Sequence, residues 1–261
     1  MGVYILKQTP DGIRSETPVA AEPRHLSVET AGALEEAAAA LKAGGLVVFP
    51  TDTLYALGAD PLNGEALGRL VRAKAGRDAP IPLLLPGPEA LGRVAAGVPG
   101  LAFTLARQFW PGPLTLILRA RPEVPEAVTA GTGTVGVRVP AGRVALGLLK
   151  MLGGPVTGTS ANRTGERAPR RAEEVATDLL RHLEVLLDGG ACPVGVPSTV
   201  LDLTVSPPCV RRIGAVSSAA LRRVEGLQGL RDPAAGSPAW PPRGGAVGLA
   251  RGRARGPWRR R

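Results

Sequence analysis

The sequence predicts an α/β fold: one layered domain built on a twisted sheet of mixed parallel and antiparallel strands, flanked by helices. Apolar residues recur at helical spacing in several segments, short runs rich in Val, Leu and Ile alternate with those segments, and Gly, Asn or Pro stands at changeovers. Helix followed by strand is the recurring theme, and no internal repeat is evident.

In chain order, Val3 to Leu6 alternates enough for a short strand before a Pro-rich stretch, so residues 1–25 are set apart as an N-terminal extension. Leu34, Ala37, Ala38 and Leu41 share a helical face, Gly44-Gly45 ends that helix, and Leu46 to Phe49 follows as a buried strand. Asn63 is placed to cap a helix bearing Leu67, Leu70 and Val71, after which Lys74-Ala-Gly-Arg77 leads to a strand at Pro82 to Leu85. Pro99 opens a helix reaching Phe109. Further strands are expected at Leu114 to Leu118, Thr134 to Val139, Val156 to Gly158, Val185 to Asp188, Thr199 to Leu203 and Cys209 to Ile213. Helices fit near Val144 to Leu152, Ala172 to His182 and Ser217 to Val224. The folded domain is thus expected over residues 26–226, with 227–261 an Arg, Gly and Pro-rich tail whose composition predicts disorder.

Charge and composition bound the function. The net charge of +10 suggests nucleic acid until it is divided: from Arg231 onward eight arginines face Asp232 alone, which leaves the rest of the chain at +3. Apolar runs such as Leu46 to Phe49 and Ile81 to Leu85 are far shorter than a membrane span, and the first residues lack the marks of a secretory signal, so the cytoplasm is expected. Cys192 and Cys209 form no metal-type spacing, and neither His25 nor His182 lies in a catalytic context; no protein-held metal is expected.

Polar residues gather where strands end, which is where open α/β sheets bind ligands. Pro50-Thr-Asp-Thr-Leu-Tyr55, Thr159-Ser-Ala-Asn162 and Ser198-Thr199 supply hydroxyls and an amide, though on spacing alone each reads first as a turn or cap. Arg77, Arg138 and Arg212 add planar, permanently charged forks suited to phosphate or carboxylate oxygens. Gly131-Thr-Gly-Thr-Val-Gly136 spells a dinucleotide fingerprint but enters a strand instead of opening a helix, and no P-loop run exists. Pro111-Gly-Pro-Leu-Thr115 enters a strand rigidly and could place Thr115 on a ligand.

Together, Phe49-Pro-Thr-Asp-Thr-Leu-Tyr55, Lys74-Ala-Gly-Arg77, Pro82-Leu83, Pro111-Gly-Pro-Leu-Thr115, Arg138-Val-Pro140, Ser160-Ala-Asn162, Ser198-Thr-Val200 and Arg212-Ile-Gly214 resemble the threonylcarbamoyl-AMP synthase family, whose catalytic unit is the YrdC domain. The resemblance runs from about Leu34 to Leu221 and rests on the order and spacing of these strings. It implies that L-threonine, bicarbonate and ATP yield threonylcarbamoyl-AMP and pyrophosphate, for threonylcarbamoyladenosine in tRNA. It implies that Thr53 and Ser198 contact threonine, that Arg138 holds its carboxylate, and that Arg77, Thr134, Ser160 and Arg212 contact ATP. Lys74 and Asn162, with Arg77 and Ser160, match the family's catalytic motif positions; Mg²⁺ arrives carried with ATP. Implied partners are the proteins of the tRNA threonylcarbamoyl transfer machinery, with a tRNA or double-stranded RNA contact.

The chain departs from the family pattern by one residue inserted in Lys74-Ala-Gly-Arg77, by Ala56 for Gly, and by Ile81, Pro86 and Ala168 at positions usually polar. Too little sequence follows Leu221 for the extra C-terminal domain of larger members, so the short form is expected. The alternatives are a non-catalytic RNA-binding or ribosome-assembly protein with the same fold and, ranked last, a carbamoyl-transfer domain of hydrogenase maturation.

Overall fold

The computed structural model describes residues 22–76, 79–163, 165–233 and 240, together with the backbone of the paired strands β1 (Tyr4–Ile5) and β2 (Thr17–Pro18). Arg77, and most of the Arg-rich tail, lie outside the described residues.

The first half of the domain runs β3 (Arg24–Ser27), α1 (Ala33–Lys42), β4 (Val47–Pro50), β5 (Tyr55–Gly58), α2 (Gly64–Ala73) and β6 (Leu83–Leu84). Helix α1 buries Ala33, Ala37, Ala38 and Leu41, with Glu35 and Glu36 in its first turn and Lys42 in its last, the charge order a helix dipole favours. It stops because Gly44 takes φ 85°, which returns the Gly45 N–H to Ala40 O at 2.8 Å. Asn63 caps α2, its Oδ1 accepting from the N–H groups of Glu65 and Ala66.

Next come α3 (Leu91–Val94), α4 (Gly100–Phe109), β7 (Leu114–Arg119), α5 (Glu126–Thr129), β8 (Thr134–Arg138), α6 (Arg143–Leu152), β9 (Val156–Thr157) and β10 (Thr159–Ser160). The chain finishes with α7 (Thr177–Leu180), β11 (Val185–Asp188), β12 (Thr199–Asp202), β13 (Cys209–Arg212) and α8 (Ser218–Arg222). One long helix expected at Ala172 to His182 is instead a 3₁₀ turn at Ala172–Glu174 and the short α7, because Val175 and Ala176 between them are extended. That break lets Val175 join Leu179 in the core.

The expected mixed α/β layering is present, with its larger strands divided between two sheets. Among the described residues, one has the order β10-β5-β4-β11-β3 and the other β13-β12-β7-β8-β6-β9, and each mixes parallel and antiparallel pairs. Consecutive strands β9 and β10 belong to different sheets, so residues 156–160 form the seam.

Among the described residues, three large hydrophobic clusters fill the layers. The largest packs α4 and the α8 region against β7, β8 and β12, through Leu105, Leu116, Val137, Leu201 and Leu221. A second lies between α2 and the sheet of β4 and β5, through Leu46, Tyr55, Leu57 and Leu70; a third seats α1 against α6 through Ala37, Leu41, Leu148 and Leu149. Leu227 and Leu230 are buried with the first cluster, so packing continues past residue 226. Trp240 is buried against Ile117 and Val200.

Candidate active site

The seam creates the site. Gly158, between β9 and β10, donates its N–H to Pro82 O at 2.7 Å, and a Cβ there would come 2.6 Å from Leu84 Cγ. Only glycine permits so close a crossing, and the crossing carries Thr159 and Ser160 into the wall of a cavity whose other walls come from both sheets.

Arg138 ends β8 and is buried, 7% exposed at its side chain. Its Nε donates to Gly112 O at 2.8 Å, its Nη1 to Thr53 Oγ1 at 2.8 Å, and its Nη2 to Asp52 Oδ1. Burial pulls the guanidinium below its usual pKa while the Asp52 charge opposes that pull; the group remains a cation at any working pH. Thr53 is held in turn by Thr51, whose hydroxyl lies 3.0 Å from Thr53 Oγ1 and accepts the Thr53 N–H at 3.1 Å. The acceptor-rich turn Thr51 to Leu54 is therefore knotted by one side chain before the cavity is filled.

The opposite wall comes from β7, β12 and β13. Parallel register sets Thr115 beside Val200, one turn of the pleat from Ser198, so the two hydroxyls meet at 2.8 Å. Arg212, on β13, donates from Nε to Ser198 O at 3.1 Å and from Nη2 to Ser198 Oγ at 3.2 Å. The cation and the hydroxyl thus face the cavity as one unit.

Lys74 closes α2. The inserted residue in Lys74-Ala-Gly-Arg77 is absorbed by two successive left-handed residues, Ala75 at φ 55° and Gly76 at φ 72°, with the Gly76 N–H returning to Val71 O at 2.9 Å. The insertion therefore leaves Lys74 on the helix end, buried, with Nζ donating to Ser160 O at 2.9 Å, to Asn162 O, and more weakly to Asn162 Oδ1 at 3.5 Å. Ser160 Oγ donates to Asn162 Oδ1 at 2.5 Å, and Asn162 Nδ2 donates to Glu166 O at 2.6 Å. An ammonium group thereby fixes the Ser160-Ala-Asn162 turn from beneath.

Thr53, Arg138, Ser160, Ser198 and Arg212 line one cavity, as does Thr115. Lys74 and Asn162 join it through Ser160. Thr134 lines an adjoining cavity with Asp202 and Arg211, and Trp240 borders both. Arg77 lies outside the described residues. Of the departures, Ala168 lines the cavity and Ala56 stands in it opposite Ser160 in register, whereas Ile81 is buried in the core. Sequence reasoning missed Asp52 and Trp240. Asp52 stood inside a quoted motif but read as a turn residue; Trp240 carried no signal beyond an aromatic in a basic stretch.

Among the described residues no group of three or more His, Cys, Asp or Glu could hold a metal ion, and no helix is long and apolar enough to cross a membrane.

A curated threonylcarbamoyl-AMP synthase of Pyrococcus abyssi is 42% identical over 192 residues, covering 73% of this chain, and one of Bacillus subtilis is 38% identical over 196 residues, covering 74%. The chain spans 56% of the length of each of these two relatives. The crystal structure of P. abyssi Sua5 complexed with L-threonine superposes with a TM-score of 0.75 at 36% identity, covering 80% of this chain and 62% of that one. The family model Sua5_yciO_yrdC, described as "Telomere recombination", matches residues 39–214, a stretch that contains both walls of the cavity and the seam between them. The chain belongs to the Sua5/YciO/YrdC family.

Proposed function

We propose that the chain is an L-threonylcarbamoyladenylate synthase, which converts L-threonine, bicarbonate and ATP to threonylcarbamoyl-AMP and pyrophosphate for tRNA modification. The observation that carries this reading is the meeting of Arg138, Thr53, Ser198, Arg212 and Ser160 around one cavity, in a chain 42% identical to a curated synthase.

The chemistry needs positioning and charge neutralisation more than a dedicated nucleophile. The threonine nitrogen bonds to the carbon of carbon dioxide derived from bicarbonate and loses a proton, giving a carbamate. One carbamate oxygen then attacks the α-phosphorus in line, the bond to the bridging oxygen breaks, and pyrophosphate leaves. In this reading Arg138 holds the threonine carboxylate beside Thr53 and Ser198, while Arg212, Ser160, Thr134 and Arg77 bind ATP. Lys74 and Asn162 hold the Ser160 turn at the cavity wall, and on ATP binding the Ser160 hydroxyl turns from Asn162 Oδ1 to donate to a phosphate oxygen.

Mg²⁺ would arrive on the triphosphate, ligated by phosphate oxygens and water, and would neutralise the leaving pyrophosphate. The proteins that transfer the threonylcarbamoyl group to tRNA are the partners this product implies, and the cytoplasm is the compartment where they meet. The test is pyrophosphate release from ATP by the full chain: it is expected to require both threonine and bicarbonate, and turnover indifferent to either overturns the reading.

A further inference from the structure

Three of the five guanidinium N–H groups of Arg138 are already engaged by protein oxygens, one on each nitrogen: Gly112 O, Thr53 Oγ1 and Asp52 Oδ1. One N–H on each Nη is then left for the cavity that Arg138 lines. Which way those two point is decided by the plane of the guanidinium, and the plane is set by its anchors.

Asp52 is the charged anchor. Its carboxylate is buried, 6% exposed, and lies behind Arg138 outside the cavity wall. Oδ1 takes a second bond, from the N–H of Ala141 at 3.0 Å, while Oδ2 is buried with no hydrogen-bond partner. The main chain clamps Asp52 as well. Val194 N–H donates to Asp52 O at 3.0 Å, and a Cβ on Gly142 would lie 2.9 Å from Asp52 N, so the turn after β8 rests directly on this residue. A buried carboxylate that leaves one oxygen unpaired and does not line the cavity is costly to keep unless it serves its partner.

We infer that Asp52 is a positioning residue that fixes the Arg138 guanidinium plane and so sets the affinity for the amino-acid substrate's carboxylate. The inference rests on the proposed function. The Asp52 carboxylate binds Arg138 and the Ala141 N–H, on the threonine side of the site, and its loss is expected to spare the proposed nucleotide contacts Arg212, Ser160 and Thr134.

The experiment compares Asp52→Asn and Asp52→Ala with the unaltered chain by threonine- and bicarbonate-dependent pyrophosphate release. Asparagine keeps one acceptor for Arg138 and Ala141; alanine keeps none. The KM for threonine is expected to rise at least tenfold in Asp52→Ala and by an intermediate factor in Asp52→Asn, with the KM for ATP and kcat within about twofold. A threonine KM unchanged in Asp52→Asn, or equal losses for threonine and ATP, overturns the inference. Because Asp52→Ala removes a buried countercharge and could fail to fold, a second measurement uses the unaltered chain. Its Arg138 Nη nitrogens, assigned by loss in Arg138→Lys, should give separate, slowly exchanging NMR signals without threonine, and one averaged signal overturns the inference. If the unaltered chain shows no threonine dependence, the proposed function fails instead.

Discussion

Replacing Lys74 by Met removes the ammonium group and keeps most of the side-chain volume. Lys74 is 2% exposed, and its Nζ donates to two main-chain carbonyls, Ser160 O and Asn162 O. Charge-assisted bonds of this kind contribute roughly 1.5–3 kcal/mol each, and the orphaned carbonyls are left without that donor. Against that loss stands relief of the cost of burying an ammonium, so we expect a net destabilisation of about 3 kcal/mol. The larger effect falls on activity. Freed from its anchor, the Ser160-Ala-Asn162 turn moves, and a shift of about 1 Å at a positioning group costs roughly 10²-fold in kcat/KM. Urea denaturation and steady-state pyrophosphate release measure the two effects separately. A Lys74→Met protein with unaltered midpoint and turnover would show that the ammonium anchors nothing.

Arg212→Lys keeps the charge but loses the planar fork that bonds Ser198 O and Oγ, so the KM for ATP should rise about tenfold or more, measured by initial rates; an unchanged KM removes Arg212 from the proposed nucleotide contacts. Gly136→Ala places a Cβ 2.1 Å from Trp240 Cη2, so the indole must leave its seat on β8; tryptophan emission should shift to the red, and a spectrum like the unaltered protein's would contradict that seating. Burial raises the Cys192 thiol from 9.0 to about 11. The folded protein then keeps a proton that the unfolded chain gives up, so this contribution to stability is complete below pH 9 and is lost as pH rises through 11. Urea midpoints measured across that range should fall less steeply in Cys192→Ala, and equal slopes would refute the assignment.

Helices and strands with strong periodicity were legible in the sequence. Ala33–Lys42, Gly64–Ala73, Gly100–Phe109 and Arg143–Leu152 fall where apolar spacing and end signals place them. The division into two sheets was not legible, because two-residue strands such as Val156–Thr157 and Thr159–Ser160 are set by pairing partners far along the chain. Strand Arg24–Ser27 was missed for the same reason: its mostly exposed, polar residues carry no burial pattern, and its partner is Val185–Asp188. For the site, residue types led to the expectation of an anionic ligand, and Arg138, Ser160 and Arg212 line one cavity. The Asp52 contact with Arg138 spans 86 positions, so it belongs to tertiary packing and leaves no local trace.

The five residues 156–160 tie length to geometry. Side chains alternate along an extended chain, so one amino acid added or deleted here would turn Ser160 out of the cavity and strip a rung from both ladders at once. The loop between Asp202 and Cys209 joins neighbouring strands of a single sheet and carries no such double duty. Homologous chains should therefore vary in length at that hairpin and hold the 156–160 stretch constant, making it a fixed ruler for aligning distant members.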